Sequence, residues 1–324
     1  MMSAHDAEAA AAILGRAQRI LCICHRNPDG DAIGALLGMG LLLEQAFGSI
    51  EVSFHCVDPV PEPFLFLTGA QRVKGVPVLR PGDAAVFLDC AEPKLSEMHV
   101  SLPQLFDRSV PTVNIDHHPS NTRYGGTNLV LPEASSTCEI LVELSEHLHW
   151  ALNSDIATAL LTGIYTDTGG LLHSNTTAQV YRTVAKLLRL GAQRNMIVSS
   201  VFRTAKLSTL KLWGRVLEKI SITEEGGAVS AVTEGDFRAT GALHAELTGA
   251  IDYVNAVPGM RFSMVLSERA GIVKGSLRTL REDVDVSAMA STFSGGGHKK
   301  AAGFALPGKL KPEVRWKVIE EQES

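Results

Sequence analysis

Short apolar runs alternate with longer helical patterns through the first half of the chain. Ile20-Leu21-Cys22-Ile23-Cys24 is too short for a helix and ends at a Pro-Asp-Gly turn signal, so it reads as a buried strand. A helical run rich in Gly, Ala and Leu follows from about Asp31 to Phe47, and a shorter one, about Ala7 to Arg16, precedes the strand. Gly34, Ala35, Gly38 and Gly40 would let the longer helix lie close to a sheet. Ile50 to Val57 alternates as a strand, after which Pro59, Pro61 and Pro63 enforce a loop. Ala84–Cys90 and Pro111–Asp116 read as further buried strands, and helices are predicted over about Ser136–His147, Ser154–Tyr165 and Thr177–Leu190. Strands alternating with helices imply a parallel sheet with crossover helices.

The texture then changes. From about Gly191 to Glu218 the pattern is amphipathic, with Lys206, Lys211, Arg215 and Lys219 on its polar side, and its latter part reads as a connector. After Gly226-Gly227 come short alternating runs, AVSAVT, RFSMVLSE and GIVKGSLRTL, around a helix near Ala242–Val254. They close on a Gly-rich loop, SGGGHKKAAG. The expected architecture is α/β. A parallel-sheet domain with helices on both faces spans 1–190, a helical connector 191–222, and a smaller α+β domain 223–324.

Composition narrows the class. At 324 residues there is room for two cores, and 45% hydrophobic with 20% charged residues is ordinary for a soluble globular chain. A net charge of −5 leaves no overall basic footprint, which argues against tight binding of long nucleic acid but allows a local basic pocket. The first residues lack the basic region of a signal peptide and no apolar window reaches membrane-spanning length, so a cytoplasmic protein without a membrane partner is expected. Five cysteines, an odd number set mostly in strand-like runs, read as reduced core thiols.

The candidate chemistry lies where apolar segments end. His25, Asp29 and Asp31 fall between a strand end and a helix start, and an open α/β sheet binds ligands outside the carboxyl ends of its strands. Asp89, Asp116, His117, His118 and Asp167 each follow a later apolar segment, so one sheet edge can collect all eight. A lone Asp there is usually a cap or turn former, and a lone His a satisfied core or surface residue. His55, His99, His147, His149, His173 and His244 are read as surface residues. Eight such residues in one alternating half are harder to explain as caps. Four carboxylates in one pocket (Asp29, Asp31, Asp89, Asp167) could not all stay ionised unaided, and two divalent cations would cancel their charge. Imidazole with hard carboxylate oxygens suits Mn²⁺ or a similar ion, and a two-metal site implies hydrolysis of a phosphate ester or anhydride.

HRNPDGDAIGA, the Asp of VFLDC, the triplet Asp116-His117-His118 and the Asp of TGIYTDTGG together resemble the four motifs of DHH phosphoesterases. GSLRT with GGGHKKAAG resembles their DHHA1 substrate-binding domain, and the layout is similar to the stand-alone bifunctional oligoribonuclease/PAP phosphatases, the nano-RNase group. The resemblance implies that His25 and Asp29 hold one Mn²⁺, that Asp31, His117 and Asp167 hold the other, and that Asp89 bridges them, with Mg²⁺ or Co²⁺ as alternatives. It implies that His118 lies beside the scissile phosphate, as charge stabiliser or proton donor to the leaving oxygen, and that Asp116 orients a neighbouring ligand. In the second domain it implies that Arg278 and His298 grip the far end of the substrate. Gly295-Gly296-Gly297 would let backbone N–H groups approach a phosphate or base. Lys299 and Lys300 either add charge there or are simply solvated, and Gly170-Leu171-Leu172-His173 stands where many relatives carry an aromatic-basic pair.

The expected activity is hydrolysis of very short oligoribonucleotides to mononucleotides, with removal of the 3′-phosphate of pAp. A cyclic-dinucleotide or linear dinucleotide (pApA/pGpG) phosphodiesterase would use the same motifs. GGGHKKAAG disfavours an inorganic pyrophosphatase, and filled ligand positions disfavour a non-catalytic nucleotide-binding regulator. An exonuclease for long strands would need a basic channel. A homodimer is left open.

Overall fold

The computed structural model describes residues 2–203 and 205–311, so 312–324, the end of the expected second domain, lie outside the described residues. The chain forms two compact units, 1–204 and 205–324. The expected connector divides between them: α6 (Arg194–Ile197) and a π-helical turn, Val198–Phe202, belong to the first unit, and α7 (Leu207–Glu218) to the second.

The first unit runs α1 (Ala4–Leu14), β1 (Arg19–Cys24), α2 (Gly30–Phe47), β2 (Glu51–His55), β3 (Val73–Lys74), β4 (Asp83–Leu88), β5 (Thr112–Asp116), β6 (Thr127–Val130), α3 (Thr137–His147), α4 (Ser154–Asp167) and α5 (Ala178–Arg189). The six strands are parallel in the order β3-β2-β1-β4-β5-β6. The chain leaves β1 toward one edge and returns on the other side of β1 at β4, so the strand order reverses between these two. That switch point opens a crevice at the strands' carboxyl ends, and His25 and Asp89 directly follow its two strands. Every residue of β1 and β4 is buried, as expected of a sheet covered on both faces. Ile20, Cys22, Cys24, Val86 and Leu88 join the helices in the larger core. Leu21, Ile23, Ala85 and Phe87 face Met98, Leu105 and Tyr124, with 3₁₀ turns at Pro93–Ser96 and Pro103–Leu105 closing that side.

Two local expectations are corrected. Gly34 and Gly38 bring α2 against α4 rather than the sheet: a Cβ on Gly34 would stand 2.6 Å from the Ala159 carbonyl oxygen, and one on Gly38 would meet Leu160. Of these small residues Gly40 is the one that meets a strand, at Phe54 of β2. Asp167 is the last residue of α4, which runs two residues beyond the expected end. His55 is buried, its Nδ1 on the Gly75 carbonyl and Nε2 near the Ser53 hydroxyl. All five cysteines are buried and free. Among the described residues no helix is long and apolar enough to cross a membrane.

The second unit continues from α7 through β7 (Ser221–Ile222), β8 (Gly227–Val232), α8 (Glu234–Thr240), α9 (Ala250–Asn255), β9 (Phe262–Arg269), β10 (Ile272–Arg278), α10 (Val286–Ser291), β11 (Gly296–His298) and β12 (Ala301–Pro307). Its mixed sheet has the order β11-β12-β10-β9-β8-β7, with only β8 and β9 parallel among the described pairs. α7 and α9 pack Leu212, Val216, Ile251 and Val254 on one face around Ala228, Val232 and Val265. α10 packs on the other face against Leu277, Ala302 and Phe304.

Candidate metal centre

All eight residues singled out in the first half converge at the carboxyl end of the parallel sheet. Three groups each place one ligand atom per residue within 4.8 Å of one another: His25, Asp29 and Asp89; Asp31, His117 and Asp167; and Asp89, Asp116, His117 and His118. Asp89 belongs to two of them. Its Oδ2 lies 3.4 Å from His25 Nε2 and its Oδ1 3.6 Å from His117 Nε2.

Local structure explains how each side chain is aimed. His25 Nδ1 is 2.7 Å from the Arg26 carbonyl, which leaves Nε2 toward Asp89 and, at 3.9 Å, Asp29 Oδ1. Asp29 is the N-cap of α2, accepting from the Asp31 and Ala32 N–H groups, so the cap role and a place in the group coexist. Asp89 adopts a left-handed backbone, φ +55°, which bends the chain at the end of β4, and its residue is only 2% exposed. Asp116 turns back on its own loop: Oδ1 accepts from the His117 and His118 N–H groups and lies 2.8 Å from His118 Nδ1, while Oδ2 accepts from Asn121. Asp116 thus orients His118.

Asp167 lies at the unfavourable, carbonyl end of α4, where a carboxylate is opposed by the helix dipole. Its own carbonyl sits 3.1 Å from His173 Nδ1 and accepts from Asn175 Nδ2, so the segment after the helix ties that end down. Gly163, one turn earlier, allows the approach to Asp31: a Cβ there would stand 2.5 Å from Asp31 Oδ1 and 2.3 Å from Cys138 Sγ.

Without a cation the clustered carboxyls would relieve their mutual charge by binding protons. Burial first, then the neighbouring Asp31 and Asp89 charges, push the Asp167 carboxyl up to about 10. Burial and the Asp89 and Asp29 charges hold Asp31 well above the usual carboxylate range, although two backbone N–H groups bond it. Asp89 moves the other way: burial opposes ionisation, but the hydrogen bond with His25 and the facing His117 and His118 lower it. Burial lowers His117. His117 Nε2 is buried and has no hydrogen-bond partner among the described residues, although it lies 3.3 Å from Asp167 Oδ2 and 4.0 Å from Asp31 Oδ2. A buried ring nitrogen left without a donor or acceptor, aimed into a group of carboxylates, fits a divalent cation. The donor set of imidazole nitrogen and carboxylate oxygen matches Mn²⁺ as well as other first-row ions.

His118 differs from the other two imidazoles. Its bond with Asp116, and then the Asp89 charge, outweigh burial and raise it to about 9, and its side chain remains 39% exposed. It faces solvent at the rim of the cluster, with Nδ1 held by Asp116.

The second unit holds the remaining predicted residues by themselves. Arg278 pairs with Ala301, and Ala301 with His298, across β10, β12 and β11, so Arg278 and His298 share one face two strand spacings apart, roughly 9–10 Å. The next row on that face is Ser276, Gly303 and Gly296, all small residues. Lys274, Ser276 and Arg278 line a hollow of about 320 Å³ together with His244 and Thr248. Gly297 takes φ +144°, a conformation other residues avoid, and Gly295 leaves no room for a Cβ, which would stand 2.3 Å from the Gly303 carbonyl oxygen. Lys300 is committed to Glu282, at 2.8 Å, and to the Arg281 carbonyl.

Sequence reasoning missed Ser135-Ser136-Thr137-Cys138. The N-terminus of α3 delivers the Thr137 and Cys138 N–H groups to Asp31, and the Thr137 hydroxyl to Asp89. The available signal was Ser136 with Glu139 three residues on, the spacing of a helix start just before an apolar run.

Residues 19–164 match the DHH family, N-terminal domain, and residues 224–323 the DHHA1 domain. The chain is 34% identical over 299 residues to the bifunctional oligoribonuclease and PAP phosphatase NrnA of Thermus thermophilus, covering 91% of this chain and 86% of that one. It is 25% identical to the cyclic-di-AMP phosphodiesterase PdeA of Listeria monocytogenes, over 95% of this chain but 48% of that protein. An exopolyphosphatase-related protein from Bacteroides fragilis has the same fold, with a TM-score of 0.83 at 22% identity over 96% of this chain and 93% of that one.

Proposed function

We propose a function from the premise that this chain belongs to the DHH family and carries its DHHA1 domain. It is a hydrolase of phosphodiester or phosphate bonds. Within that class our reading is a phosphoesterase that converts very short oligoribonucleotides to mononucleotides and removes the 3′-phosphate of pAp, using two divalent cations, Mn²⁺ first. The observation that carries it is the pair of ligand groups, His25, Asp29 and Asp89 in one and Asp31, His117 and Asp167 in the other, with Asp89 Oδ1 3.6 Å from the partnerless His117 Nε2. Similarity to NrnA along nearly the whole chain supports the substrate class.

His25, Asp29 and Asp89 would hold one cation and Asp31, His117 and Asp167 the other, with Asp89 Oδ1, 3.6 Å from His117 Nε2, within reach of the second. Bound there, the pair would supply positive charge to a phosphoryl oxygen and acidify an attacking water. His118, held by Asp116 and open to solvent, is suited to stabilise the transferring charge or protonate the leaving oxygen. Arg278 and His298 would take a second phosphate or a base of the substrate; the glycines expected to form a loop lie on strand β11 with His298 (Gly296, Gly297) and just before it (Gly295).

Mn²⁺-dependent hydrolysis of pApA, a short RNA, a long RNA, pAp, c-di-AMP and pyrophosphate tests the reading. Loss of pApA and pAp with sparing of the long strand is expected. A clear preference for c-di-AMP would favour the second reading, which the similarity to PdeA supports. No turnover across the set, with Mn²⁺ bound, would sink both.

Arg278→Ala should raise KM for a dinucleotide about tenfold to a hundredfold, the worth of a charge-assisted hydrogen bond, with Mn²⁺ affinity unchanged. Steady-state kinetics beside a Mn²⁺ titration checks this, and weakened Mn²⁺ binding would contradict a substrate role.

A further inference from the structure

The first N–H groups of a helix have no acceptor within it. In α3 they are distributed with little left over. The Ser136 hydroxyl accepts from the Glu139 N–H, and Glu139 in turn accepts from the Ser135 N–H and hydroxyl, which fixes the helix start. The N–H groups of Thr137 and Cys138 go instead to the two oxygens of Asp31, at 2.6 and 3.0 Å. The Thr137 hydroxyl turns to a different carboxylate and donates to Asp89 Oδ1 at 3.0 Å. One fully buried residue therefore holds two of the clustered carboxylates, one through its backbone and one through its side chain.

The side-chain half has no substitute once the centre is loaded. Asp89 is otherwise faced by imidazoles: His25 Nε2 at 3.4 Å, His117 Nε2 at 3.6 Å and His118 Nδ1 at 3.5 Å. The first two present the nitrogen whose lone pair a cation would take, and a nitrogen so engaged has no proton to donate. The third is committed to Asp116 at 2.8 Å. Among the described residues the Thr137 hydroxyl is the donor left for Asp89 Oδ1, and its branched Cβ limits the rotamers that could swing it away. We propose that Thr137 is a positioning residue: its hydroxyl sets the plane of the Asp89 carboxylate so that one oxygen faces the His25 group and the other the His117 group. The proposal rests on the two-cation reading above and assigns this residue a role within it.

The test compares full-length wild type, Thr137→Val and Thr137→Ser. Valine keeps the shape and loses the donor, whereas serine keeps the donor. Mn²⁺ isotherms by titration calorimetry, unfolding in chelator, and kcat and KM on pApA are measured for each. Thr137→Val should weaken at least one Mn²⁺ about 10- to 100-fold, with kcat falling and KM at saturating Mn²⁺ unchanged. Thr137→Ser should restore the isotherm. A Thr137→Val isotherm that overlays wild type, with only the Tm in chelator lowered, would reduce the residue to packing and overturn the proposal, as would failure of serine to restore binding. If the valine variant does not fold, Thr137→Ala takes its place with the same two outcomes. Wild type that binds Mn²⁺ yet hydrolyses nothing would refute the proposed function alone, because the isotherms judge Thr137 without turnover.

Discussion

Asp89→Ala is expected to abolish turnover on dinucleotide and pAp alike. The loss should be on the order of 10³-fold or more, since cation stabilisation of phosphoryl transfer is worth several kcal/mol and each 1.4 or so is tenfold. The reason is placement. Asp89 turns Oδ2 to His25 Nε2 at 3.4 Å and Oδ1 to His117 Nε2 at 3.6 Å, so its removal takes an oxygen from beside both. Alanine also disfavours the left-handed backbone that Asp89 adopts, which by itself costs roughly 1–2 kcal/mol. Asp89→Asn separates the two effects, because asparagine tolerates that conformation and removes only the charge. Unfolding measured with and without Mn²⁺ gives a second readout. A site filled at a hundred times its Kd stabilises the native state by about 2.7 kcal/mol, and both variants should lose most of that gain. Substantial residual turnover in Asp89→Asn, with two ions still bound, would remove Asp89 from the shared position.

What the sequence made legible follows from what periodicity can carry. β1, β4 and β5 are short apolar runs bounded by turn residues, and their ends gave His25, Asp89 and Asp116–His118 directly. Parallel pairing explains why: strands buried on both faces carry their charge at the ends, as the buried Arg19–Asp83 pair does where β1 and β4 begin and as His25 and Asp89 do where they stop. Asp167 was found by its motif, two residues beyond the end expected for the helix that carries it, because helix ends blur in a one-dimensional pattern. β3 and β6, of two and four residues, are too short to show a period. The small residues of α2 announced a close approach but not the partner, since choosing between sheet and α4 needs the fold itself. Thr137 escaped for the opposite reason. Ser135-Ser136-Thr137 carries no charge, and hydroxyl residues at a helix start are fully explained as caps until Asp31 and Asp89 are seen beside them.

His118→Ala should lower kcat on RNA dinucleotides by roughly 10²–10⁴-fold, the range of a positioned general acid, while both Mn²⁺ sites keep their affinity. The imidazole is set apart from its neighbour by its connections. His117 points a partnerless Nε2 at three carboxylates, whereas His118 spends Nδ1 on Asp116 and leaves its side chain 39% exposed. The two roles open to it predict different substrate dependence. A proton donor matters when the leaving oxygen is a poor leaving group, as a ribose hydroxyl is, and matters little for a p-nitrophenolate that departs unaided. A charge stabiliser acts on the phosphoryl oxygens and should be missed equally with either ester. Rates on pApA and on a p-nitrophenyl phosphodiester, each with wild type and His118→Ala, therefore separate them. Loss on RNA with near-normal cleavage of the activated ester would make His118 the acid, and equal loss on both would make it an electrostatic clamp. A fall in bound Mn²⁺ would move it into the ligand set, where its 3.5 Å distance to Asp89 Oδ1 would have to close. Asp116→Asn should reproduce the same pattern more weakly, because the amide would still meet Nδ1 but no longer favour the protonated ring.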